Sequence, residues 1–504
     1  MKTKDINLIS LFEKSLQQGP QSNLDEIGIV VQVGDGICTV FGLTNAVYGE
    51  FIKFEGGNNG IVLNLSEDFV SIFLLNSSIP VVEQEVVTRF GNVLKIPVGD
   101  KMLGRVVNAL GEPIDALGDI VADAYMPVES QTPAIVDRTP INESMSTGIM
   151  VIDALFPIGK GQRELIIGNR STGKTAIAVD AILNQKGKDV ICVYVSIGQR
   201  QGNVARLVRL LEERGALEYT VVVSADSSEA VLNQYLAPYS GTAIGEYFMN
   251  QGKDVLIIYD DLSNHAIAYR EMSLLMRRAP GREAYPGDVF YLHSRLLERS
   301  GKLLKGGSMT ALPIIQIQSD DITAYIPTNL ISITDGQIFL DTQLFNNSIR
   351  PAVNVELSVS RVGGAAQTKA IKKMTKALRL DLAQYHELLS FAQFGTELDE
   401  VSQMHLRQGA LAVEILKQNQ FVHYSFVDET LILFLLKEGF LQKIALKDIQ
   451  LFTRQFISYV ESVYNQIYTD IKDSQDVSDD NVTLLRTVAA EFSGIFVPEE
   501  NFTI

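Results

Sequence analysis

The sequence predicts a chain of three domains: a small N-terminal β-barrel, a central α/β phosphate-loop domain and a C-terminal α-helical domain. Three observations predict it. Residues 23–98 hold short β-rich runs separated by glycine turns, and strands at such spacing close into small barrels. Between 99 and 375, apolar runs alternate with helix patterns, the signature of a parallel sheet covered by helices. That region contains Gly168-Asn169-Arg170-Ser171-Thr172-Gly173-Lys174-Thr175, a fit to G-x-x-x-x-G-K-[ST]. From 376 to 504 the β character fades and helical periodicity takes over.

Composition bounds the function. Of 504 residues 46% are hydrophobic, ample for several cores. A net charge of −17 argues against nucleic acid, whose binding draws on clustered Lys and Arg. Cys38 and Cys192 lie far apart without ligand-like spacing, so neither a disulfide framework nor a zinc site is expected, and a reducing compartment is. The histidines form no H-E-x-x-H array, which makes His265 and His293 structural. No apolar stretch approaches the roughly 18 residues of a membrane span. Asp5, Asn7 and Ser10 interrupt what would be a signal-peptide core. A soluble chain is expected, meeting a membrane only through an assembly.

Taken in order, residues 1–22 place Leu8, Leu11, Phe12 and Leu16 along one side of a helix that Gly19-Pro20 ends. So short a helix either packs on its own domain or docks a partner. Barrel strands are expected at 27–33, 37–41, 60–65 and 70–75, with turns at Gly34-Asp35-Gly36 and Gly56-Gly57-Asn58-Asn59-Gly60. Buried strands follow at 190–195, 220–223, 255–259 and 314–318. Helices are expected at 204–214, ending at Gly215, and from Ser227 onward with a serine cap. Long helices are expected at 370–389 and 403–417.

The glycine loop carries the chemistry. An apolar run, Arg163 to Ile167, precedes it and a helix pattern, Ala176 to Leu183, follows. Glycines let backbone N–H groups turn inward on phosphates, and the helix N-terminus adds its positive dipole end. Lys174 then reaches the terminal phosphates of ATP or ADP, and the Thr175 hydroxyl ligates Mg²⁺. A second feature is the apolar strand Val255-Leu256-Ile257-Ile258-Tyr259, which runs into Asp260-Asp261. A carboxylate at the C-terminal edge of such a strand suits Mg²⁺, and Asp260 is the metal-side candidate.

The motifs Tyr259-Asp260-Asp261-Leu262-Ser263, Pro280-Gly281-Arg282-Glu283-Ala284-Tyr285-Pro286-Gly287-Asp288, Ser358-Val359-Ser360-Arg361-Val362-Gly363-Gly364 and Ile333-Thr334-Asp335-Gly336-Gln337-Ile338-Phe339 are specific. So is Gly104-Arg105-Val106-Val107-Asn108-Ala109-Leu110-Gly111. With them, from about Glu26 to Gln420, the chain resembles the alpha subunits of the F-type ATP synthases. The resemblance implies a β-barrel crown, a RecA-like nucleotide domain and a helical C-terminal domain. It implies an alternating hexameric ring with homologous beta subunits around a central gamma-type shaft. It also implies a peripheral stalk or delta-type contact through the N-terminus, and a place on the cytoplasmic face of a membrane complex coupled to proton transport.

Residue by residue, the resemblance puts Gly168 to Thr175 with Ala176 around the phosphates. It puts Arg350-Pro351, Gln418 and Gln420 around the adenine. Arg361 matches the arginine finger that crosses the subunit interface, with Ser358 and Ser360 as candidates to position it by hydrogen bonds. Catalytic beta subunits follow the strand after the phosphate-loop helix with a glutamate that polarises water. Here Gln199 stands at the matching place, and an amide cannot take a proton. A nucleotide-holding subunit with little turnover is expected. Departures from the family are Asn169 and Ser171 for Asp and Gln, Glu356 at a usual glycine, Arg200-Gln201-Gly202-Asn203 after Gln199, and Phe421-Val422-His423 without the family's proline. They suggest a divergent chain, leaving open a specialised ATPase doing other mechanical work. A secretion-type homo-hexameric ATPase would need glutamate at Gln199. An RNA-translocating hexamer is opposed by the acidic balance.

Overall fold

A computed structural model describes residues 27–76, 79–393 and 399–498. The helix expected within 1–22 lies outside the described residues. The chain divides into two compact units. One takes the described residues up to Ala134, Ile191–Gln251 and Ile257–Arg299; the other takes Ile135–Val190, Gly252–Leu256 and the described residues from Ser300 onward.

The first unit contains the barrel. Strands β1 (Ile27–Val33), β2 (Ile37–Gly42), β3 (Glu50–Phe54), β4 (Asn59–Leu65), β5 (Phe69–Leu74) and β6 (Val86–Val93) close in the order β1-β2-β5-β4-β3-β6. Strand alternation sends Val30, Val40, Ile52, Val62, Ile72 and Val87 inward, and these residues share one core. Closure requires a close approach at Gly60, where an added Cβ would lie 2.4 Å from Ile72 Cγ2. Strands β3 and β6 have no counterpart in the sequence expectation. They are joined by Glu50, a fully buried carboxylate whose oxygens accept from Arg89 Nε at 2.8 Å, Gly91 N at 3.0 Å and Val47 N at 2.9 Å. A buried charge persists only when paired and hydrogen-bonded in this way.

The same unit carries the strand Val190–Gln199, which pairs in parallel with Thr220–Asp226, which in turn pairs in parallel with Val106–Val107. These strands are buried on both faces, so they read as continuous apolar runs. The helix Gln201–Glu213 buries Val204, Leu207 and Leu211, and Gly215 at φ +67° follows its end. The serine cap expected at Ser227 does not form: the helix begins at Val231 with no side-chain cap. Instead Ser228 N and Oγ donate to Asp226 Oδ1 at 2.7 and 2.6 Å, and that aspartate turn takes up the segment.

In the second unit the strand Leu165–Gly168 lies between two parallel neighbours, Ser308–Gln316 and Gly336–Leu340; Ile166 pairs with Ile314 and with Ile338. The strand expected at 314–318 therefore starts six residues earlier, at Ser308, and ends at Gln316. Pro313, which cannot donate to a ladder, hides its first half from a sequence reading. The short strand Val359–Ser360 runs antiparallel to Gly336–Leu340. Six longer helices between Leu378 and Ile495 form the C-terminal region. Of these, Phe426–Lys437 is almost wholly buried and opens with a capping box of Ser425 and Asp428. The helix expected over 370–389 is two, Lys369–Met374 and Leu378–Gln393. At the break Thr375 Oγ1 bonds back to Ile371 O at 3.1 Å.

The first unit also buries two histidines completely. His265 Nε2 lies 3.1 Å from Tyr235 O, and neither nitrogen of His293 has a hydrogen-bond partner; the rings are 5.4 Å apart. Burial pushes both below their ordinary value, His293 to about 3. The neutral forms are favoured in the folded chain, while the unfolded chain takes up protons below about pH 6.5, so stability falls as pH falls from there. For His293 alone the loss at pH 5 is about 2 kcal/mol. Thermal melts at pH 7 and pH 5 should show a larger acid penalty for the wild type than for His293→Phe; equal penalties would contradict it.

Candidate nucleotide site

The strand Leu165–Gly168 is pinned on both edges, and the chain leaves it through a tight loop into the helix Lys174–Leu183. Two backbone positions make the loop. An added Cβ at Gly168 would lie 2.6 Å from Thr172 Oγ1 and 3.0 Å from Leu340 Cβ, so only glycine fits. Gly173, at φ +102°, is the helix N-cap in the left-handed region. Side chains then close the loop on itself. Thr172 Oγ1 donates to Asn169 O at 2.9 Å, and Lys174 Nζ donates to Gly168 O at 3.0 Å and to Asn169 O at 2.5 Å. Lys174 is buried, whereas Arg170, Ser171 and Thr175 are exposed. The arrangement sets a helix N-terminus and an ammonium beside the loop, the elements from which an anion cradle is built.

The two departures in the loop are accommodated. Asn169 Nδ2 donates to Thr342 Oγ1 at 2.9 Å and its Oδ1 accepts from Asp320 N at 3.2 Å, tying the loop to neighbouring segments. An aspartate could not donate to Thr342. Ser171 adopts φ +64°, at an exposed loop position.

Beside the cradle is a cavity of about 270 Å³. Thr172, Gly173 and Ala176 form its phosphate-loop wall; Arg350, Pro351, Gln418 and Gln420 form the opposite one. The structure thus brings together the loop and the adenine-side residues of the sequence reading. Their roles differ, however. Gln418 is committed to the backbone: Nε2 donates to Gly148 O (2.7 Å) and Val422 O (2.5 Å), and Oε1 accepts from Met150 N (3.0 Å). It braces the wall, and Asn419 and Gln420 line the cavity beside it. Arg350 sits 4.5 Å over the Phe345 ring. Ile149, Phe345 and Asp180 also line the cavity and went unread in the sequence, since no spacing signal links them to the loop. Asp180 Oδ1 accepts from Phe421 N at 3.0 Å and lies 3.3 Å from His423 Nε2, so the segment lacking the family's proline is anchored there.

In the first unit, Gln199 ends its strand and Asp260 ends the strand Asp254–Asp260. The two are brought together: Gln199 Nε2 donates to Asp260 Oδ1 at 3.3 Å, and Tyr194 OH donates to Oδ2 at 2.6 Å. Asp260 is nearly buried. The adjacent Asp261 caps the helix Leu262–Leu275, accepting from Asn264 N at 2.8 Å.

Arg361 follows the short strand Val359–Ser360 in the second unit. Its N donates to Asp335 O at 2.8 Å, and its exposed guanidinium reaches Ile331 O at 3.4 Å. Ser358 and Ser360, the candidates to position Arg361 by hydrogen bonds, bond to the surrounding chain and not to its guanidinium. Ser358 Oγ accepts from Phe339 N at 3.0 Å; Ser360 Oγ donates to Pro157 O at 2.7 Å and accepts from Gln162 Nε2 at 3.1 Å. Alternation along an extended segment puts residues 358 and 360 on the face opposite 361. They fix the strand, not the arginine. Beneath, Glu164 is fully buried with one oxygen accepting from Gln162 Nε2 at 2.8 Å, and burial pushes its carboxyl well above the carboxylate range. Glu356 lies on an exposed turn without positive φ, so its site does not require glycine.

Comparison with known proteins agrees with this layout. The nucleotide-binding domain model of the ATP synthase alpha/beta family matches residues 148–360, its beta-barrel domain 24–91 and its C-terminal domain 367–492. ATP synthase subunit alpha of Acetivibrio thermocellus is 53% identical over 478 residues, 94% of each chain. That of Clostridium botulinum (strain Eklund 17B / Type B) is 50% identical over 503 residues, 99% of this chain and all of the relative.

The chain belongs to the alpha-subunit family of the F-type ATP synthases.

A further relative, the sodium ion specific ATP synthase subunit alpha of Acetobacterium woodii, is 53% identical over 472 residues and 94% of each chain. Membership makes the chain part of an ATP synthase with beta and gamma subunits. No helix among the described residues is long and apolar enough to cross a membrane.

Lys174→Ala removes the ammonium bonded to the loop carbonyls. A charge-assisted contact contributes roughly 1.5–3 kcal/mol, so the Mg-ATP dissociation constant should rise about tenfold to a hundredfold. Calorimetry giving unchanged affinity would contradict the cradle.

Proposed function

We propose that the chain holds ATP or ADP with little turnover and lends Arg361 to the catalytic site of a neighbouring beta subunit. The observation that carries this reading is Gln199. Its amide is held by Asp260 at the position where a catalytic subunit needs a glutamate; it orients water without accepting a proton. Nucleotide phosphates rest on Gly168 to Thr175, with Lys174 on the terminal ones. The ribose and adenine extend between Ala176, Arg350, Pro351 and Gln420.

Mg²⁺ accompanies the nucleotide and screens its phosphate charge. Two residues supply hard oxygen donors of the kind Mg²⁺ takes. Thr175 offers an exposed hydroxyl at the start of its helix, and Asp260 offers a carboxylate.

Arg361 suits a role in trans. Its guanidinium is exposed, and the backbone that carries it is fixed by buried hydroxyls rather than by the guanidinium itself. A planar, permanently charged fork matches the charge spread over a transferring phosphoryl group. The assembly in this reading is an alternating ring about a gamma-type shaft. A stalk or delta-type subunit contacts the N-terminus, and the complex lies on the cytoplasmic face of a membrane. Coupling is to protons, the sodium-specific relative marking the other ion.

In a ring reconstituted with its beta partner, Arg361→Ala should cut ATP turnover by about 10³-fold or more, as for other arginine fingers. ATP binding to this chain should stay nearly intact, and Arg361→Lys should be severely impaired too. Turnover within a few-fold of normal would remove Arg361 from the role.

A further inference from the structure

The helix Phe426–Lys437 carries Glu429, a carboxyl group with no exposure, neither of whose oxygens accepts from an N–H or O–H among the described residues. The group beside it is Asp153, on the helix Met150–Leu155. Asp153 is also buried, but donors converge on it: Ser146 Oγ at 3.0 Å, Thr147 N at 3.0 Å, Thr147 Oγ1 at 2.7 Å and Gly148 N at 3.0 Å. Two adjacent carboxyl groups away from water do not both ionise. The one with the donors keeps the charge; the one with none keeps the proton.

We propose that Glu429 is a neutral acid that donates its proton to Asp153, and that this pair positions the Ser146–Gly148 turn behind the nucleotide cavity. The turn leads directly there. Gly148 O accepts from Gln418 Nε2 at 2.7 Å and from Tyr424 N at 3.2 Å, Met150 N donates to Gln418 Oε1, and Ile149 lines the cavity. Glu429 is thus a positioning residue that ties a C-terminal helix to the wall of the site. The other charged groups facing it are Lys188 and Asp428, with Asp153; Lys188 also faces Asp153 and is solvent-exposed. Asp428 is engaged by Ser425 N and Tyr468 OH. Burial, then Asp153, pushes the Glu429 carboxyl well above the carboxylate range, against the pull of Lys188.

The sign of the pH effect follows. Above the ordinary carboxylate value the unfolded chain loses the Glu429 proton and the folded chain keeps it. Stability therefore falls as pH rises from that value through the elevated one. Each unit of elevation corresponds to about a tenfold change in the folding equilibrium.

The test is Glu429→Gln in the full chain, which keeps the size and the hydrogen-bond donor and removes the titration. Its melting temperature relative to the wild type's should rise steadily from pH 5.5 to pH 8.5. Its affinity for Mg-ATP should equal the wild type's at the lower pH. Glu429→Ala, which leaves Asp153 without the shared proton, should weaken Mg-ATP binding several-fold at both pH values. If Glu429 is instead charged and paired with Lys188, the Gln variant is less stable than the wild type and the deficit grows with pH. That outcome, or failure of the Gln variant to fold, overturns the proposal. The positioning role rests on the cavity being the nucleotide site. The stability profile does not, so loss of ATP binding by Lys174→Ala alongside a flat Glu429→Gln profile would reject the pair and keep the site.

Discussion

The second unit is arranged around one bend of the backbone. At Gly168 a strand pinned between two parallel neighbours must turn into a helix within a few residues, and the space for a side chain there is taken by Thr172 and Leu340. At the bend Gly168 O still accepts from Ile317 N at 3.2 Å, and the Gly168 and Asn169 carbonyls both face the Lys174 ammonium. Lys174 answers both, and Thr172 answers Asn169 again. These two carbonyls hold the buried ammonium beside the loop, where the proposed phosphate would add a charged partner. Burial of Lys174 and the direction of the loop are one constraint seen two ways.

Catalysis requires more than a cradle, and here the two units contribute different things. Gln199 and Asp260 form a local hydrogen-bonded pair with Tyr194, a polar end to two apolar strands that contains no proton acceptor beyond a carboxylate already bonded twice. Arg361 leaves its own unit's surface exposed and fixed from behind by Ser358 and Ser360. In the proposed reading such a chain keeps a nucleotide and offers Arg361 to a neighbouring subunit. Glu164 is buried nearby, with its carboxyl pushed well above the carboxylate range by burial.

Legibility in the sequence followed the physics of each feature. The phosphate loop was readable because its backbone angles admit few residues, and the parallel strands because burial on both faces makes them uniformly apolar. Strand Ser308–Gln316 was half hidden by Pro313, and the helix after Asp226 was misplaced because an aspartate turn outcompeted a serine cap. Arg350, Gln418 and Gln420 were found through resemblance alone; nothing in spacing brings residue 418 to residue 148. Ser358 and Ser360 lie close to Arg361 in sequence, and the two-residue alternation of a strand turns them to its other face, where they fix the segment that carries it. The wall formed by Ile149 and Phe345 left no signal, since apolar residues at a cavity and in a core read alike.

The central claim is that this chain binds nucleotide without turning it over. Its most direct test is to load the isolated chain with an equimolar amount of labelled Mg-ATP, quench in acid at intervals and count ATP and ADP. The account predicts about one bound nucleotide per chain, recovered as ATP, with hydrolysis far below the roughly 1–10³ s⁻¹ of ordinary enzymes. Conversion of the bound ATP to ADP at rates in that range, by the isolated chain, would contradict it.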